Sequence, residues 1–220
     1  MQPSKSAVTW MWTATIFLAC IGLAVVIRRS IVLYTGPGTG YNAELDIGFA
    51  QHPRLTLVHI IPGFFFMLLG PMQFVRRIRA RMPAVHRWIG RIFLSLGLVI
   101  GITAFGLGFQ TSIGGVNETV ATTLFALLFL FSLCKAYIHA RRREFAPHRE
   151  WMIRAFAIGL AVATIRPIIG VFFATSHLTG LTPHEFFGTG FWLGFTLQTI
   201  AAEVWINHTR PAPARVAAIM

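Results

Sequence analysis

Six long apolar runs follow one another along this sequence, and they restrict its fold more than any other feature. About 20 consecutive apolar residues suffice for one helix to cross the hydrocarbon core of a bilayer. The sequence therefore predicts an all-α fold, a polytopic membrane helix bundle of about six transmembrane helices in one integral membrane domain over residues 1–220. The predicted spans are Ala7–Ile27, Leu55–Phe74, Trp88–Phe109, Thr119–His139, Glu150–Phe173 and Phe186–Asn207.

The composition supports a membrane protein and excludes several classes of soluble enzyme. Hydrophobic residues make up 55% of the chain and charged residues only 12%, whereas soluble domains carry about 25% charged residues. The sequence contains no GxSxG, no HExxH and no phosphate-binding glycine loop, so nothing in it indicates a soluble-type hydrolase. Cys20 and Cys134 both lie within apolar runs and form no CxxC pair, which disfavours disulfides and thiolate metal sites.

The positive charges are concentrated in two links between spans. A net charge of +12 would suggest nucleic acid in a soluble domain, but no nucleic-acid-binding fold accompanies it. In a membrane protein, clustered arginines set orientation and contact anionic lipid headgroups. The links after the second and fourth spans, with their flanks, carry eleven arginines and one lysine: Arg76, Arg77, Arg79, Arg81, Arg87, Arg91, Lys135, Arg141, Arg142, Arg143, Arg149 and Arg154.

The links on the other side carry most of the acidic residues, and this asymmetry predicts the orientation. These residues are Glu44, Asp46, Glu118 and Glu185. Because basic links remain in the cytoplasm, both basic links and both termini are expected there. Arg28, Arg29 and Arg54 oppose this orientation but are outnumbered. The expected surroundings are the lipid bilayer, with anionic headgroups at the arginine-rich links.

One phrase occurs twice, at the start of the third and of the fifth span. The two copies are "PAVHRWIGRIF" from Pro83 and "APHREWMIRAF" from Ala146. Both enter a helix from a basic link, so the hairpins formed by spans two and three and by spans four and five look related. Arginine and tryptophan are typical of the membrane boundary. The histidine in each copy needs a further explanation.

Ionisable residues inside the spans are costly in lipid and mark sites of pairing or function. Glu203 is expected near the cytoplasmic edge, at the depth of Arg91 and Arg154, so we predict a buried polar pair between Glu203 and one of these arginines. The pair could fix the order of the helices, or Glu203 could act as a proton relay. Arg166 and His59 are expected to share a depth on the other side.

The histidines suggest a haem or a copper site, because neutral imidazole is a common ligand of both. His86, His139 and His148 gather at the cytoplasmic side on different helices, and His59 with His177 lies outside. We consider His59, His86, His139 and His148 as cofactor ligands, with His86 and His148 as the metal pair. Arg166 could bind a haem propionate or cap a polar cluster with His59. The alternative is that these histidines are hydrogen-bonded anchors at the headgroup boundary.

The joined motifs resemble a known family. "HPRLTLVHIIPGFFFMLLGPMQFVRRIR", "HRWIGRIF" and "HREWMIRAF", with the later Arg166 and Glu203, are similar to the domain of unknown function 2306 family of predicted multi-pass, mostly bacterial membrane proteins. The resemblance covers about His52 to Glu203. The resemblance implies no activity. It implies a location in the bacterial inner membrane. The residues that match the pattern of the family are His59, Gly70, Gln73, His86, Arg87, His148, Arg149, Arg154, Arg166 and Glu203.

Three functional classes remain open. The first is a protein that binds haem b or copper for redox chemistry or for the assembly of a respiratory enzyme. The second is a transporter or channel that uses Arg166 and Glu203. The third is a structural subunit that associates with another membrane subunit. Dihaem b-type cytochromes have a similar layout, but their ligands pair at matched depths, whereas His59 and His139 are expected at opposite depths.

Overall fold

The computed structural model describes residues 4–38 and 43–210, and these residues form eight helices joined by short links. The predicted all-α fold is confirmed, since the described residues contain no strand. The helices are α1 Lys5–Thr35, α2 Ala43–Gln51, α3 Pro53–Phe74, α4 Arg76–Arg81, α5 Pro83–Gln110, α6 Gly115–Arg141, α7 Phe145–Thr179 and α8 Pro183–Thr209.

Five helices, α1, α3, α5, α6 and α7, are long and apolar enough to cross a membrane. They contain the first five predicted spans. The sixth predicted span lies within α8, which is 27 residues long and therefore extends about 40 Å, although α8 is less apolar than the five. The short helices α2 and α4 were not anticipated, because they lie in the links between apolar runs. The side chain of Glu44 lies outside the described part of the structure.

Large apolar side chains cover much of the outer surface of the bundle. Ile102, Val171 and Val204 are each more than 60% exposed, which would be unfavourable over a whole surface facing water. Lipid tails are as apolar as these side chains, so the exposure is expected in a bilayer. The surface therefore agrees with the helices in indicating a polytopic membrane protein.

Phenylalanine rings fill the core between α3, α5, α6 and α7. Phe66 stacks on Phe93, with ring centroids 4.1 Å apart, and also contacts Phe129 and Phe156. Gly70 makes this packing possible, because a Cβ atom at this position would lie 2.1 Å from the ring of Phe156. Offset and edge-to-face contacts of this kind stabilise aromatic clusters beyond simple burial. One phenylalanine from each repeated phrase, Phe93 and Phe156, therefore packs against the ring of Phe66 in the core.

Both arginine-rich links lie at one end of the bundle, here named the basic end. The Nδ1 atom of His148 at the start of α7 hydrogen-bonds the carbonyl oxygen of Ala136 near the end of α6, at 2.8 Å. Arg79 of α4 lies near enough to Arg149 of α7 for the two positive charges to repel each other, so the two links are neighbours. The end of α1, the start of α3 and the links α5–α6 and α7–α8 lie at the other end, here named the opposite end.

Candidate functional site

His148 is held in a defined orientation at the basic end. Because a carbonyl oxygen only accepts, the 2.8 Å contact with Ala136 requires that Nδ1 of His148 donate the proton. The Nε2 atom of the neutral ring then keeps its lone pair. Histidines that bind metals commonly hold their second nitrogen in this way, with a carbonyl or carboxylate as the acceptor. The geometry of His148 is therefore suited to a ligand through Nε2.

His86 faces the same region from α5. Its Nδ1 atom is buried and has no hydrogen-bond partner among the described residues, and its ring interacts electrostatically with that of His148. Buried polar atoms usually have a partner, so each exception requires an explanation. His86 and His148 occupy corresponding positions of the two repeated phrases. The fold thus brings the two repeated histidines together.

Gln73 at the end of α3 adds a second buried atom without a partner. Its Nε2 atom makes no hydrogen bond within the described residues, and the residue is only 5% exposed. The Oε1 atom lies against Gly90 of α5, 3.3 Å from where a Cβ atom would stand. Gly90 is one turn beyond His86 on the same helix face. Gln73 of α3 therefore lies about one helical turn along α5 from His86.

His139 makes a different contact. Its Nδ1 atom is bound to the carboxylate of Glu144 in the link between α6 and α7. It interacts electrostatically with His148, but within residues 4–38 and 43–210 no three or more His, Cys, Asp or Glu side chains are placed to hold a metal ion. The three predicted histidines lie near one another, and His139, like His148, is hydrogen-bonded through its Nδ1 atom.

Glu203 of α8 lies at the basic end and is bound to Arg154 of α7. Two hydrogen bonds join the groups, at 2.5 Å from Nε and 2.9 Å from Nη2 of the guanidinium. Arg154 also lies 4.0 Å from the Glu150 carboxylate. The other predicted partner, Arg91, instead places its guanidinium 5.0 Å from the centre of the Trp88 ring. This arrangement fixes α8 against α7.

The remaining predicted residues, His59 and Arg166, lie away from this site. Nδ1 of His59 is 2.9 Å from the Thr103 hydroxyl, which joins α3 to α5. Arg166 lies 18 residues beyond His148 on α7, which corresponds to about 27 Å along the helix. One cofactor held by His86 and His148 could not reach Arg166. The predicted set of cofactor residues is therefore divided between the two ends of the bundle.

A cluster at the opposite end escaped the sequence reasoning. Asp46 of α2 is buried and receives hydrogen bonds from both Arg28 and Arg29 of α1. These arginines had counted only as opposition to the predicted orientation. Their pairing with Asp46 reduces the charge exposed at that end. The available signal was the presence of two arginines and an aspartate in segments expected on the same side of the membrane.

The family of predicted membrane proteins named domain of unknown function 2306 matches residues 56–206. The chain belongs to this family. The matched region runs from α3 to α8 and contains the candidate site at the basic end, whereas α1 and α2 precede it. Comparison with curated proteins and with solved structures gave no match. Membership of this family indicates a multi-pass membrane protein and assigns no activity to it.

Proposed function

We propose that this chain is a redox protein of the membrane that binds copper or haem iron between His86 and His148. The observation that carries the proposal is the hydrogen bond from Nδ1 of His148 to Ala136, which leaves Nε2 as the available ligand atom on a ring that interacts electrostatically with His86. The buried, unpartnered nitrogen of His86 supports it. Imidazole ligands suit both copper and iron.

The packing around the pair favours a single copper ion over a macrocycle on the core side. Phe93 lies two turns beyond His86 on α5 and is fully buried. Its counterpart Phe156 lies two turns beyond His148, and the two rings are 6.3 Å apart. A haem would therefore have to enter from the surface of the basic end. A copper ion needs no such space, since two imidazole nitrogens can hold it directly.

The surroundings of the pair suit a redox metal at a membrane boundary. Gln73 supplies a buried amide donor beside Gly90, which is one turn beyond His86, and a hydrogen bond of this kind can orient a ligand or tune a metal from outside its coordination shell. Arg79 and Arg87 interact electrostatically with His86 and raise the local positive potential. This potential favours the more reduced, less positive state of a bound metal.

The test is a spectrum of the purified protein after expression with added haem or with added copper. We expect bound copper, measured by elemental analysis and by electron paramagnetic resonance after oxidation, or else a Soret band. His86→Ala and His148→Ala should each lower occupancy at least tenfold. Occupancy in the wild type should also fall as the pH is lowered, because protons compete with the metal for imidazole nitrogen.

His208→Ala is the matched control. His208 lies at the same end of the bundle, is exposed, and contacts the ring of Trp205. Its removal should leave metal content unchanged. The proposal would be wrong if the wild-type protein were colourless after growth with ample haem and also bound no copper. Equal loss of metal in all three variants would show that the metal binds elsewhere.

We further propose that the basic end faces the cytoplasm, in the inner membrane of a bacterium, where the arginine-rich links contact anionic lipid headgroups. The supporting observation is that α4 and the link between α6 and α7 lie together, so their positive charges act on one side. Both termini would then be cytoplasmic. An alkaline phosphatase reporter inserted after Arg142 should be inactive, and an active reporter would contradict this orientation.

A further inference from the structure

Arg166 is a partly buried cation without a hydrogen-bonded partner among the described residues. Its Nε atom is buried, and within the described residues its guanidinium makes no hydrogen bond and no ion pair. The residue lies on α7 immediately before Pro167, near Glu118 of α6 and Arg28 of α1. A guanidinium carries five N–H donors and remains charged in proteins. An unpaired charge of this kind within a membrane bundle is costly, and it marks a functional site by default.

The two nearby carboxylates already accept hydrogen bonds from other groups, Glu118 through its Oε2 atom and Asp46 through both oxygens. Arg166 interacts electrostatically with Glu118, Arg28 and Asp46. The Glu118 carboxylate accepts hydrogen bonds from the backbone N–H groups of Ile113 and Gly114, at 2.8 and 2.7 Å. The position of Glu118 is therefore fixed by the start of α6.

Asp46 is bound in a similar way by the other arginines. Arg28 donates two hydrogen bonds to its carboxylate, at 3.0 and 2.7 Å. Arg29 donates to Asp46 and also to the carbonyl oxygen of Leu45, and it lies 3.8 Å from the centre of the Phe49 ring. Arg28 and Arg29 thus hold α2 against α1. Their donors are directed at α2, and Arg166 is left with none of its five N–H groups in use.

The charges of the cluster do not balance. Among the side chains that the structure describes, three guanidinium groups, from Arg28, Arg29 and Arg166, lie near two carboxylates, from Asp46 and Glu118. One additional negative charge would neutralise the excess. An oxyanion also matches the geometry of the free group, because carboxylate and phosphate oxygens accept the paired N–H donors of arginine. The missing charge and the unused donors therefore point to the same kind of ligand.

We propose that Arg166 binds an oxyanion at the opposite end of the bundle, through the phosphate or carboxylate group of a small solute or of a lipid headgroup. Arg166 supplies the hydrogen bonds, and Arg28 and Arg29 contribute positive potential. The site lies about 27 Å along α7 from His148 and is independent of the metal site. Arg166 is within the residues that match the family, whereas Arg28, Arg29 and Asp46 precede them.

The experiment measures the thermal stability of the whole protein in lipid nanodiscs. A first sample contains phosphatidylcholine alone in sodium chloride. A second adds sodium phosphate or sodium acetate at the same ionic strength, and a third replaces part of the phosphatidylcholine by phosphatidylglycerol. Ligands that bind only the folded state raise Tm. We expect a saturable rise of about 5 °C or more in the second or the third sample.

The sample that responds identifies the source of the anion. A rise with added phosphate or acetate indicates a free solute, and a rise with phosphatidylglycerol alone indicates a headgroup. Saturation matters, because phosphate also raises stability without binding, and that effect grows steadily with concentration. No saturable rise in any wild-type sample would overturn the proposal, and this outcome requires no variant.

Two variants give the matched comparison. Arg166→Gln should lose the anion-dependent rise in Tm. Arg54→Gln removes the same charge from an exposed position at the start of α3, at the same end of the bundle, and should keep the rise. An equal response in Arg166→Gln and the wild type would show that any anion acts elsewhere. If Arg166→Gln fails to fold, the wild-type samples and Arg54→Gln still decide the question.

Discussion

The repeated phrase occurs in two structural settings, at the start of α5 and at the start of α7. From the tryptophan onward the copies share the pattern W-x-x-R-x-F, with Trp88 in the first and Trp151 in the second. In both, the arginine lies over the tryptophan ring one turn earlier, at 5.0 Å for Arg91 and 4.5 Å for Arg154. In both, the phenylalanine reaches the core and contacts Phe66.

The copies differ in what covers them. The α7 copy is packed under the end of α8, where Arg149 bonds Thr209 and Arg154 bonds Glu203. The α5 copy faces outward, with Trp88 63% exposed and no carboxylate at Arg91 among the described residues. Helix periodicity fixes which side chains stack within one turn. The neighbouring helix decides whether the same turn becomes a membrane anchor or a contact between helices.

The phenylalanines should show the largest effect, and an equal one in both copies. Phe93→Ala and Phe156→Ala each remove a buried ring from the shared cluster, and each should lower the free energy of unfolding by about 3–5 kcal/mol. Thermal unfolding in detergent or nanodiscs measures this. Phe65→Ala is the control, since that ring is 47% exposed. A protein that tolerates one core variant and loses its fold with the other would show that the copies are not equivalent.

The sequence was sufficient to predict the features that depend on the local residue pattern and on the surrounding lipid. Apolar length predicted the helices, and repeated motifs predicted that α5 and α7 enter the bundle from the same end. The different contacts of the two copies could not be predicted in this way, because they depend on the packing of α8 against α7 rather than α5. Sequence spacing left Arg91 and Arg154 as equal candidates for Glu203, and only the packing separates them.

The polar sites show the same limit. His86 and His148 were predicted as a metal pair because both lie at the cytoplasmic ends of different helices, and in the structure their rings are near enough to interact electrostatically. Their separation from Arg166 follows from the length of α7. The role of the Ala136 carbonyl could not be predicted, because backbone atoms carry no residue-specific signal. The Asp46 contact with Arg28 and Arg29 required the unexpected helix α2, which places the carboxylate beside α1.

Tryptophan substitutions should separate the two copies. Trp151 is partly buried and packs edge-on against Phe131, with centroids 5.4 Å apart, so Trp151→Ala should cost about 2 kcal/mol of unfolding free energy. Trp88→Ala should cost less than about 1 kcal/mol, because the ring is mostly exposed. The same thermal unfolding assay compares the two. Equal losses would mean that Trp88 is covered by something beyond this chain, such as a partner subunit.

The ion pair of the α7 copy should have the smallest effect on stability, but it should distinguish the two copies most clearly. Arg154 and Glu203 are joined by two hydrogen bonds, but the Glu203 side chain is 41% exposed, so solvent and headgroups weaken the attraction. A double-mutant cycle with Arg154→Gln and Glu203→Gln should give a coupling energy of about 1 kcal/mol. Arg91→Gln combined with Glu203→Gln should give none, because Arg91 is not bound to that carboxylate. Coupling of similar size in both cycles would mean that Glu203 binds each arginine part of the time. The two copies would then differ in how often they bind Glu203, because neither contact would be permanent.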